Sequence, residues 1–113
     1  MSLHSNRPNR RSAPPAARTA ALVMLLGIAA FLGLTASAMV LYPGGNWLDR
    51  SARGHRFWAN FFCDLTQPVS LSGVPNSLGA RLAQLGMLCF ALALGGLFWL
   101  LPHHFGFESR AAR

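Results

Sequence analysis

Apolar positions in this chain gather into two unbroken stretches, Ala20–Tyr42 and Leu82–Leu101, of 23 and 20 residues, and neither contains Asp, Glu, Lys, Arg or His. At about 1.5 Å of rise per residue, either stretch as a helix crosses the ~30 Å hydrocarbon core of a bilayer. The alternative is a pair of helices buried in a soluble protein, but a chain of 113 residues offers little else to bury them in. The pattern therefore predicts an all-α membrane protein, a hairpin of two transmembrane helices. Pro43-Gly44-Gly45 stops the first helix just past Tyr42. Pro75-Asn76-Ser77 opens the second, with Asn76 or Ser77 as its cap, and Pro102 ends it. Tyr42 and Trp47 on one side, and Trp99 on the other, fall where interfacial aromatics belong.

The polar connection, residues 43–81, has a pattern of its own. On a helical wheel at about 100° per residue, Phe57, Trp58, Phe61, Phe62 and Leu65 lie on one side and Arg56, Asn60, Cys63 and Asp64 on the other. This predicts an amphipathic surface helix near residues 54–65. Its aromatic face is suited either to the acyl boundary or to packing on the two spanning helices. Arg56, Asn60 and Asp64 would form one polar ridge at i, i+4, i+8, the nearest thing to a site; a plain solvated edge is the bland alternative. Arg50, Arg53 and Arg56 recur every third residue and are candidates for lipid headgroup contact, because guanidinium offers bidentate donors to phosphate.

Flanking segments complete the organisation: a basic, proline-containing tail over 1–19, expected to be disordered, and a polar tail over 102–113. Ala36-Ser37-Ala38 matches an A-x-A signal-peptidase site, but apolar character continues through Met39-Val40-Leu41, so the first run is expected to stay as an anchor. Arg10-Arg11 lacks the hydrophobic sequence that a twin-arginine signal places directly after it.

Composition changes the picture in one respect. Apolar residues make up 52% and charged residues 12% of the chain, too few charges for a soluble surface. The net charge of +7 comes from arginine alone, with no lysine. That usage points to a GC-rich bacterial genome, hence a multi-pass protein of the bacterial cytoplasmic (inner) membrane. The arginines flank the apolar runs, so membrane lipids, anionic ones included, are the expected partners rather than nucleic acid. Six arginines in the two tails against four in the connection favour cytoplasmic termini and an external loop.

Candidate chemistry is sparse. Cys63 and Cys89 read as two free thiols, and His103-His104 lacks a third metal ligand. Neither span carries a histidine to hold haem or an ionisable group for an ion path. No Gly-rich phosphate loop, nucleophile elbow or zincin motif is present. No catalytic, cofactor or metal residue is expected. Two small-residue ridges, Ala29–Gly33–Ser37 and Met87–Ala91–Gly95, are expected to carry helix contacts, within a homo-oligomer or with other membrane helices.

Tyr42-Pro43-Gly44-Gly45, then Phe57-x-x-Asn60-Phe61-Phe62-Cys63-Asp64-Leu65, then Asn76, resembles the first loop of a group of uncharacterised bacterial multi-pass membrane proteins, over about Leu41 to Leu101. The resemblance implies a polytopic helical protein and supplies no activity. Members of that group carry more spans than the two here, so the chain would be a truncated relative, a fragment, or a subunit that assembles its own bundle. Three function classes follow: a non-enzymatic assembly or regulatory subunit, favoured; a piece of a transporter or sensor; and a lipid-acting enzyme. The last lacks a paired general acid and base, since His55 falls off the Asp64 line of the wheel.

Overall fold

The computed structural model describes residues 14–105. Among them the protein is all-helical, with no β-strand: α1 Pro15–Leu41, a single-turn α2 Phe62–Leu65, and α3 Ser77–Phe105. The parts of the two tails at 1–13 and 106–113 lie outside the described residues.

α1 begins earlier than its apolar run. Pro15 occupies the first turn, where its missing N–H costs nothing, and the Pro14 carbonyl accepts from the Ala17 and Arg18 amides (3.0 and 3.2 Å). Residues 15–19, expected in a disordered tail, are therefore helical. The helix stops at Leu41 because Tyr42 precedes a proline and is held extended (φ −64°, ψ 122°). α3 starts at Ser77 and continues through Pro102 to Phe105. The expected end at Leu101 is corrected, since an internal proline removes a single N–H donor and helix geometry persists beyond it.

The two long helices pack antiparallel. Ala20 approaches Gly96, Gly27 approaches Cys89 and Ala93, Phe31 and Thr35 approach Gly86, and Ala38 meets Ala83. A Cβ on Gly27 would lie 2.8 Å from the Cys89 carbonyl oxygen, and one on Gly86 3.2 Å from Thr35 Oγ1. Glycine here sets the helix separation. Phe31 and Phe90 pair across the contact with ring centroids 5.0 Å apart. The contact between α1 and α3 runs through neither of the two ridges named from the sequence. Ala29, Gly33, Ser37, Met87, Ala91 and Gly95 are all exposed, and Gly33 and Gly95 face open space. Several small-residue stripes run along each helix; the one used is chosen by the connection, whose Leu65 packs on Tyr42, Ala38 and Ala83.

Both long helices are long and apolar enough to cross a membrane, and only 11% of either one's most apolar window is buried. A soluble protein's core helix is mostly buried, and these two are not.

Candidate functional site

The connection between α1 and α3 folds into a compact head. Its first turn runs from Pro43 to Gly54, pinned by the Gly54 amide on the Pro43 carbonyl (3.3 Å) and the Gly45 amide on the Ala52 carbonyl (2.7 Å). Inside it the Asn46 side-chain oxygen accepts from the Leu48 and Asp49 amides (2.9 and 2.7 Å), an Asx turn. A second turn spans Pro68 to Asn76, where Ser70 and Val74 pair through backbone and hydroxyl. The two turns join at the Ser72 amide, which donates to the Gly44 carbonyl (3.2 Å). Gly45 makes the junction possible: its φ is +83°, and a Cβ there would collide with the Leu71–Ser72 backbone.

The amphipathic helix expected over 54–65 does not form as one helix. Residues 57–59 make a turn, Phe61 is extended (φ −87°, ψ 155°), and only Phe62–Leu65 is helical. The cause lies in Asn60 and Asp64, whose side chains bind backbone and compete with helix. Asn60 Oδ1 accepts from the Arg56 amide (3.0 Å), while its Nδ2 donates to the Gly45 carbonyl (2.8 Å) and to Asp64 Oδ2 (3.3 Å). The Phe61 amide donates to the same Asp64 oxygen (2.9 Å), half of a capping box that starts α2. Asn60 and Asp64 are therefore buried pins, and not an exposed edge. Arg56 joins the expected ridge only through its backbone.

Tyr42, expected at the interface, is instead 2% exposed and acts as a post for the head. Its hydroxyl accepts from the Leu71 amide (3.1 Å), and its ring meets His55 edge-on at 5.7 Å. Asn76 completes the frame from the far side. Its Nδ2 reaches the Leu65 and Gln67 carbonyls (3.2 and 3.1 Å), so it ties the head together where capping of α3 was expected. Gly79 lacks a Cβ that would collide with Asn76 Oδ1. The sequence reading missed Asn46, His55 and Ser70 as structural residues; the Pro-Gly-Gly-Asn string was the one available signal of a built turn.

The outside of the head is apolar where its inside is polar. Trp58 is 95% and Leu48 91% exposed, and Trp47, Phe57, Phe61 and Phe62 are exposed as well. Phe57 stacks edge-on against Trp58 (4.9 Å) and Phe62 (6.0 Å), so these three form one surface cluster. Arg50, Arg53 and Arg56 are exposed on the same segment. Arg50 also donates to the Leu71 carbonyl (3.4 Å), and Arg53 sits in a backbone bridge with Gly44. Asp49 is held below the usual carboxylate range by the Ser51 hydroxyl and amide, with Arg56 adding to the effect. Trp99 lines a groove between the opposite ends of α1 and α3, floored by Ala16, Ala20, Ala91 and Gly95.

His55 lies close enough to Asp64 for the carboxylate to favour its charged form, a proximity the helical wheel denied. The pair is turned inward, with His55 Nε2 sealed from solvent. No group of three or more metal-ligating side chains occurs among the described residues. Comparison with known protein families, curated proteins and solved structures finds no match to this chain.

Proposed function

We propose that this chain is a small integral membrane protein, a non-enzymatic assembly or regulatory subunit whose two helices span the bilayer and whose head meets lipid at the surface. The observation that carries the proposal is an inversion. The head spends its Asn, Asp and Tyr side chains on its own frame and turns its Phe and Trp rings outward. A soluble domain does the reverse, whereas a protein seated at a membrane interface gains from it. Each fully buried ring contributes about 1.5–3 kcal/mol, and each arginine near an anionic surface about 1 kcal/mol, screened by salt. Aromatic seating therefore dominates, and Arg50, Arg53 and Arg56 tune lipid choice. The inward-facing His55–Asp64 pair supports a non-catalytic role, because a general acid or base must reach its substrate.

The arginine balance favours termini in the cytoplasm and the head outside a bacterial inner membrane. A second reading, a piece of a larger multi-pass or oligomeric transporter or sensor, draws support from the exposed Ala29–Gly33–Ser37 stripe, which suits a further helix. The test is fluorescence of the full chain reconstituted with lipids brominated near the headgroup. Trp58 emission, isolated by difference with Trp58→Phe, is expected to be quenched in neutral and anionic bilayers alike. Absence of quenching in both would place the rings against protein and remove the lipid-contact proposal; quenching confined to anionic lipid and lost in salt would put charge in control.

A further inference from the structure

His55 is a half-buried titratable side chain in the head. Its Nε2 is sealed from solvent and has no hydrogen-bond partner. The ring leans on the edge of Tyr42, which in turn holds the Leu71 amide and so the second turn of the head. Tyr42, just past the end of α1, sets its ring against it; α2 supplies Asp64; the Phe61 carbonyl lies alongside. Its sequence neighbours Arg53 and Arg56, and Arg81 at the start of α3, are exposed.

We propose that His55 is an acid-sensitive latch, which keeps the head closed while its ring is neutral and opens it when the ring is protonated. Neutral imidazole carries one N–H and one bare nitrogen, and a bare nitrogen is the cheaper one to leave unpartnered. Protonation turns Nε2 into a buried charged donor with no acceptor, and the ring relieves this by leaving its place beside Tyr42. Burial is the main influence on the ring and pushes its pKa below the ordinary 6.5; Asp64 and the Phe61 carbonyl oppose it without overcoming it. The sign follows. The closed head binds this proton less readily than the open one, so the latch contributes fully above pH 6.5 and its contribution is lost as pH falls through the lowered value. Between the two values the opening constant rises up to about tenfold per pH unit. The consequence, that acid reshapes the aromatic surface, rests on the lipid-contact proposal; the latch itself does not.

The test uses the full chain in neutral detergent micelles, where lipid contact plays no part. The His55 ring is titrated by NMR and assigned by its loss in His55→Gln. Amide exchange at Leu71 and Gly45, corrected for intrinsic rates, is followed from pH 7.5 to 5.5. The expected result is a ring midpoint below 6.5, with exchange accelerating in acid in the native chain and flat in His55→Gln. A midpoint at or above 6.5 with the amides still protected overturns the proposal, as does the same acid acceleration in His55→Gln. If that variant fails to close its head at any pH, the native ring midpoint and the native amides decide the matter alone.

Discussion

Asp64 receives two donors on one oxygen, the Phe61 amide and the Asn60 side chain, and it is 4% exposed. Its replacement by Ala strands the Phe61 amide and leaves Asn60 Nδ2 with the Gly45 carbonyl alone, at a cost of about 1–3 kcal/mol. Thermal unfolding of the head, followed by near-UV signals in detergent, is expected to shift down accordingly, with the long helices retained. Gly79→Ala is expected to cost about 2 kcal/mol in the same assay, because the new methyl drives Asn76 from its place and breaks its bonds to Leu65 and Gln67. The Asn60–Asp64 pair was legible at i, i+4 spacing, and the structure keeps it. Its partners were not legible: Gly45 lies 15 residues from Asn60, and only the folded turn brings it there. Tyr42 was misplaced for a related reason. A tyrosine at a helix end suits either an interface or a hydroxyl bond, and the Leu71 amide that decides the matter is 29 residues away.

At the level of elements, the long helices were readable because nothing competes with uninterrupted apolar sequence for backbone conformation. Their true limits, Pro15–Leu41 and Ser77–Phe105, extend past the apolar runs at the ends where polar residues still suit a helix. The connection was misread because angular periodicity records which side chains differ, and the competing side-chain-to-backbone bonds of Asn60 and Asp64 leave no trace in it. Packing between the helices was half legible. Small residues were rightly expected at contacts, but the register is set by Leu65 against Ala38, Tyr42 and Ala83. A pair of substitutions separates the used stripe from the unused one. Gly86→Leu forces bulk against Thr35 and is expected to destabilise the hairpin by about 1–3 kcal/mol. Gly33→Leu points into open space and is expected to stay within about 0.5 kcal/mol of the parent. Denaturation in detergent measures both. Loss of a higher oligomer in Gly33→Leu, with the hairpin intact, would identify the exposed stripe as a partner surface.

For the whole molecule, the helix pair and the head depend on each other. Ala38 is completely buried against the base of the head, so cutting after it removes α1 from its packing with α3 and leaves Tyr42 without its helix. Retention of the first run as an anchor is the expected outcome; a mature chain beginning at Met39 in the intact mass would contradict it. The two free cysteines provide the most direct measurement of the spanning arrangement. Cys63 is exposed on the head, and Cys89 lies within the long apolar helix α3. The chain in lipid nanodiscs, open to reagent on both faces, is treated with a charged, membrane-impermeant maleimide and weighed intact. Two spanning helices predict a single adduct, on Cys63, with Cys89 reacting only after the disc is dissolved in SDS. Labelling of Cys89 in the intact disc at a rate comparable to Cys63 would contradict a bilayer around α3 and with it the membrane hairpin.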